Sequence, residues 1–255
     1  MPWPMIHFSI AFQMFGGHPP HDFFLGSIAP DAVQFREDKL SKAKSHLRDG
    51  MGSYPEWPGL IDFYDNRVQY DKDAGYTMFL LGYLSHIIAD DLWGKYKRKI
   101  SNQNKNVLQA IWNEENKYDF HLKRTVLWRD VIEQQVVGAA LYELVDLYTL
   151  EELDTWRRKL FMWLKNPENE PSFDNQYLKD SNVRVFIDET ADEIAYWMQS
   201  QLAISLRGRM DEDNQNHHFS VISNICFTCW LYRLRKFTNQ RGPSSRSNKN
   251  RRRNK

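Results

Sequence analysis

Residues 74–100 run without a proline, and from Met78 to Leu92 apolar residues fall on nearly every side of a helical wheel. A surface helix shows one apolar stripe; a helix apolar all round has to be enclosed by other elements. Whatever else this chain folds into, it must wrap protein around this segment. The other periodic stretches are helical too. Residues 3–15, 60–71, 107–148, 150–165, 183–206 and 217–237 repeat apolar side chains at helical spacing with few breakers. Strand signals are scarce: 181–187 has the composition of a short strand, but the helix that follows reads better through it. The expected fold class is all-α, a single-domain multi-helix bundle around a central buried helix near 74–100.

Two ionisable residues break the apolar surface of that segment. His86 and Asp90 stand four apart, so a helix puts them on one face with Phe79 and Tyr83. An unpaired carboxylate in an apolar wall is costly. A hydrogen-bonded core pair and a shared metal ion relieve that cost equally well, and the pair alone does not choose between them. Three other residues bear on the choice. His7 lies on an otherwise apolar helical face, where a lone histidine is more often a satisfied core residue. Asp31 follows Ala29-Pro30 at a backbone break, where an acid often caps a helix. His46 sits in the polar stretch Lys44-Ser45-His46-Leu47-Arg48-Asp49, which reads as surface inside a loop spanning 38–58. Together they offer imidazole nitrogen and carboxylate oxygen, the donors zinc prefers.

Composition supports a carboxylate–imidazole site over the alternatives. A chain of 255 residues with 42% hydrophobic and 14% aromatic side chains can bury a large core. Its two cysteines, Cys226 and Cys229, build neither a disulfide framework nor a four-thiolate zinc site. Ten of the 34 Lys and Arg lie between Tyr232 and Lys255, where no acid stands, so the rest carries more acid than base. An acidic body suits cations and argues against a broad nucleic-acid-binding face. Residues 1–237 are expected to form the helical metal-binding domain. Residues 238–255 are expected to be a disordered basic tail able to touch anionic surfaces. No apolar run is long enough to span a bilayer. The opening residues show no basic n-region followed by an apolar run, so no secretory signal is read and a cytoplasmic location is expected.

Four blocks in order carry a resemblance to a known family: Trp3-x-x-x-His7, Phe24-Leu25-Gly26-Ser27-Ile28-Ala29-Pro30-Asp31, Lys44-Ser45-His46, and Gly82-Tyr83-Leu84-Ser85-His86-x-x-x-Asp90-x-x-Trp93. Over roughly the first 95 residues the chain resembles the bacterial zinc-dependent phospholipases C, related to the single-strand-specific fungal nucleases. The resemblance implies an all-helical fold and one to three Zn2+ ions. It implies that Asp31, His46, His86 and Asp90 hold one ion and that His7 shares a second with Asp90 as a bridge. It also implies a zinc-dependent phosphoester or phosphodiester hydrolase, with Asp31 as both ligand and base. Its substrate would be a phospholipid, a nucleotide or another phosphoester. A non-catalytic helical protein with a structural zinc is the alternative.

The chain departs from the family pattern in two places. Secreted relatives bind zinc through a processed N-terminal tryptophan, whereas Trp3 is internal here. The later His…His-x-x-x-Glu set has no clean counterpart after Asp90. Asp119 is the expected replacement ligand, with Glu115 and His121 as weaker ones. Other motifs are set aside. Cys226-Phe227-Thr228-Cys229 lacks a redox setting. His21-Asp22 imitates a metal-dependent phosphohydrolase pair, but its proline neighbours argue against a helix there. His217-His218 reads as loop.

Overall fold

The computed structural model describes residues 4–35, 42–49, 53–68 and 73–202. The segment 217–237, the cysteine pair, His217-His218 and the basic tail lie outside the described residues. The described residues are helical, with an isolated bridge between Leu144 and Tyr148 and no strand among them.

Among the described residues nine α-helices follow in order: α1 (Pro4–Met14), α2 (His21–Gly26), α3 (Lys42–Ser45), α4 (Trp57–Val68), α5 (Ala74–Ile100), α6 (Lys105–Thr125), α7 (Arg129–Gly138), α8 (Leu150–Lys165) and α9 (Asp180–Trp197). A 3-10 turn, Ala29–Phe35, follows α2, and a π turn, Met198–Leu202, follows α9. Local chemistry sets many of these limits. Asp73 caps α5 by accepting from Gly75 N, and Asn104 caps α6 from Asn106 N and Val107 N. Thr149 and Glu152 form a reciprocal capping box on α8. Lys97, Arg98 and Lys99 close α5 against its own dipole.

The central helix is where the apolar pattern put it. From Phe79 to Asp90 every residue of α5 is buried. Helices α1, α2, α4 and α9 pack around it, and α8 packs on the 3-10 turn. The contact with α2 is unusually close. A Cβ on Gly26 would lie 2.1 Å from Phe79 O, and one on Gly82 would lie 2.3 Å from Phe23 O. No side chain fits at either position, so two helix backbones touch through a reciprocal pair of glycines.

Three sequence expectations are corrected. The stretch 107–148 is not one helix. It breaks after Thr125, whose hydroxyl donates back to His121 O, and Val126 turns extended; α7 then stops at Gly138. A helix does start at His21, because Pro20 precedes it as a non-helical cap and proline restricts only the helix interior. The loop expected over 38–58 contains α3 and a structured turn that buries His46.

Candidate metal centre

Helix α5 supplies His86 and Asp90 one turn apart, α1 supplies His7, and the 3-10 turn supplies Asp31. His46 arrives through an αL ending on α3. Leu47 has φ 53°, Arg48 N donates to Ala43 O at 2.8 Å and Leu47 N to Lys44 O at 3.1 Å. This is the Schellman pattern with leucine where glycine is usual. A branched residue in that region costs roughly 1–3 kcal/mol, which the surrounding packing must offset. The turn puts His46 inside, and Tyr83 of α5 ties it down by donating its hydroxyl to Ser45 O.

Five side chains from four elements therefore meet in a buried space. His7 and Asp90 are 2% exposed, His46 and His86 are fully buried, and Asp31 is 6% exposed. His46 Nε2 lies 3.5 Å from Asp31 Oδ1, 3.4 Å from Asp90 Oδ2 and 3.2 Å from His86 Nε2. His86 Nε2 lies 3.8 Å from Asp90 Oδ2, and His7 Nε2 lies 3.5 Å from Asp90 Oδ1. The rings of His7 and His86 stack with centroids 4.0 Å apart. Two triplets bring their ligating atoms within 4.8 Å of one another: His7, His86 and Asp90, and Asp31, His46 and His86.

Hydrogen positions decide what this arrangement can do. His86 Nδ1 is 2.8 Å from Ser27 O, and His46 Nδ1 is 2.9 Å from Lys42 O. A carbonyl only accepts, so each Nδ1 carries the proton and donates. Burial first, and then the neighbouring His7, push the His86 imidazolium down to about 3 despite Asp90. Burial also lowers His46, against the pull of Asp31 and Asp90. Both rings are then neutral at pH 7 with bare Nε2 lone pairs. Two such lone pairs face each other at 3.2 Å, with carboxylate oxygens behind them. His7 Nε2 and Asp90 Oδ1 lack hydrogen-bond partners altogether. The two facing Nε2 atoms have no hydrogen between them, and although Tyr54 donates to Asp90 and Lys42 pairs with Asp31, a cation among the ring nitrogens and carboxylate oxygens relieves their mutual repulsion. The donor set, imidazole nitrogen with carboxylate oxygen, suits Zn2+.

The carboxylates are ionised. Burial works against this at Asp90, but the imidazoles around it hold its pKa below the ordinary carboxylate range. Asp31 is also held low, against burial, by His86, by Lys42 and by His46; Lys42 Nζ is 2.6 Å from Asp31 Oδ1. Tyr54 donates its hydroxyl to Asp90 Oδ2 at 3.1 Å and accepts from Arg48 Nη2. Burial and the Asp90 charge raise the Tyr54 phenol, so it keeps its proton and remains a donor.

Of the six ligands expected, five meet here and Asp119 lies in neither triplet. Its Oδ1 accepts from Met5 N at 2.7 Å, at the start of α1. Glu115 accepts from Trp93 Nε1 at 2.7 Å and pairs with Lys97, while His121 bonds Asp180 near the surface. Sequence reading missed Tyr54, Arg48, Lys42 and the Ser27 carbonyl. Arg48 had a weak signal, two residues after His46; the others had none.

Of the five residues, Asp90 also stands in the wall of a neighbouring cleft. This cleft of about 940 Å³ is lined by Asp90, Tyr54, Arg48, Ile87 and neighbours from α4 and α5. That volume accommodates a small organic ligand. Among the described residues no helix is long and apolar enough to cross a membrane. A sequence model described as zinc dependent phospholipase C matches residues 7–200. No curated protein and no solved structure matches the chain.

Proposed function

The chain belongs to the zinc dependent phospholipase C family, and on that premise we propose that it hydrolyses a phosphoester or phosphodiester bond at a zinc centre held by His7, Asp31, His46, His86 and Asp90. The observation that carries the reading is the facing pair of bare Nε2 atoms on His46 and His86, 3.2 Å apart beside two ionised carboxylates. Bound zinc supplies Lewis acidity, lowering the pKa of a water from about 15.7 to about 7 and offsetting charge on phosphoryl oxygens.

The protein's own groups do the rest. The Ser27 and Lys42 carbonyls fix the tautomers of His86 and His46 so that Nε2 faces inward. Asp90 offers Oδ1 towards His7 and Oδ2 towards His46, the posture of a bridging carboxylate. The Tyr54 hydroxyl orients it. Asp31, paired with the Lys42 ammonium, serves as ligand and as the base that takes a proton from the attacking water. Asp119 is left out of the set because it lies in neither triplet and its Oδ1 is engaged at Met5 N.

The cleft favours catalysis over a structural ion. A structural zinc site is closed by protein ligands, whereas a catalytic one keeps an open position. Asp90 is one of the residues in the cleft wall, so a ligand held in the cleft would stand beside the centre. The test is zinc analysis of protein expressed with ample metal, followed by turnover of bis(p-nitrophenyl) phosphate. Bound zinc and chelator-sensitive turnover without unfolding are expected, and Asp31→Asn should lower kcat by about a hundredfold or more. Zinc-loaded protein inert toward phosphoesters would leave a structural ion instead.

A further inference from the structure

We infer that the cleft beside the metal centre takes a substrate carrying a second anionic group, a phosphate gripped by Arg48, rather than one with a cationic headgroup. The inference rests on the hydrolase reading and names the substrate class for the same site.

Four cations line the cleft next to Asp90: Arg48, Lys95, Lys97 and Arg98. Two are already neutralised. Lys95 Nζ is 2.8 Å from Asp91 and Lys97 Nζ is 2.5 Å from Glu115. Among the described residues neither arginine has a carboxylate partner. Glu56 and Glu193 stand on the same wall, but both are exposed and pair with neither arginine.

Arg48 is also held in place before any ligand arrives. Its guanidinium lies 4.2 Å above the Tyr54 ring, and Nη2 donates to the Tyr54 hydroxyl. Its Nε is buried and has no acceptor. A charged donor left unsatisfied away from water is costly, and a phosphate oxygen removes that cost. Guanidinium matches phosphate through paired N–H bonds that an ammonium cannot supply. The Tyr54 hydroxyl joins Arg48 to Asp90 Oδ2, so an anion on Arg48 sits one side chain away from the metal centre. A quaternary ammonium at this place would meet two unpaired guanidinium groups and be repelled.

The experiment is calorimetric titration of the zinc-loaded full chain with 1,3-propanediol bisphosphate, propyl phosphate and phosphocholine. The bisphosphate should bind about tenfold tighter than propyl phosphate, and phosphocholine weakest. Arg48→Gln should erase most of that preference with zinc content unchanged, and Arg48→Lys should restore part of it. Equal affinities for bisphosphate and propyl phosphate in the parent protein would overturn the inference, as would a preference that survives both Arg48 variants. Bisphosphate preference in a protein that turns over no phosphoester would sink the hydrolase reading and leave the anion site standing.

Discussion

Two buried acidic neighbourhoods lie close to α5, and they differ in what faces the acids. On α6, Glu114 accepts from the backbone N–H groups of Gln176, Tyr177 and Leu178, fixing the loop before α9. Glu115 accepts from Trp93 and Lys97, and Asp119 from Met5 N. Each of these partners brings a hydrogen, so Glu114 is satisfied by protein on both oxygens, while Asp119 is satisfied through Oδ1 and keeps a buried Oδ2 without a partner. At the metal centre Asp90 receives a hydrogen from Tyr54, but two of the groups facing it, the Nε2 atoms of His46 and His86, have their hydrogens on the other side of the ring, directed to the Lys42 and Ser27 carbonyls. Burial and acidity are common to both places. What separates a site that needs a cation from one that does not is which nitrogen of each ring carries the proton.

The strongest way to break this contrast is His86→Ala. It removes a member of both triplets, so bound zinc and turnover should both vanish; metal retained at parental levels, read by elemental analysis, would refute the assignment. Next comes Gly82→Ala. Its Cβ would sit 2.3 Å from Phe23 O, so α2 must move and take the Ser27 carbonyl with it. Overpacking of backbone on backbone should cost about 3 kcal/mol in urea unfolding, and loss of the Ser27 contact should weaken zinc by about tenfold or more. Unchanged zinc affinity would mean that the carbonyl does not orient the ring.

On the other side of the comparison, Glu114→Gln should cost about 1–3 kcal/mol of stability by setting an amide against three N–H donors. Zinc content should not change, and a drop would show that the two neighbourhoods are coupled. The smallest effect is expected at Asp119. Burial raises its pKa well above the ordinary value, offset in part by Met5 N–H. The folded chain then holds that proton more tightly than the unfolded chain, so stability falls as pH rises past the unfolded carboxyl value of about 3.9. Asp119→Asn should flatten that decline between pH 5 and 8 in thermal melts while leaving zinc in place. Zinc lost on this substitution would return Asp119 to the ligand set.

The sequence made some of this legible for physical reasons. Apolar residues all round Met78 to Leu92 left no orientation for α5 except the centre, and the four-residue spacing of His86 and Asp90 put both on one face. His46 was visible only through the family blocks. Its own neighbourhood is polar, and the turn that buries it uses Leu47 where a glycine would have announced the ending. The long reading over 107–148 failed because nothing in residue type marks the break at Val126, where φ and ψ alone change. Tyr54 and Arg48 come from a loop without periodicity, so their roles follow from tertiary placement alone.

The contact between Gly26 and Gly82 also bears on how such a centre can vary. The group that sets the ring of His86 is main chain, so no substitution at position 27 can swap it for a stronger or weaker acceptor. The remaining lever is spacing between two helices, and that spacing already stands at its lower limit. Change at the metal can therefore proceed through Tyr54, Arg48 or Lys42, while the support beneath His86 has nowhere to drift.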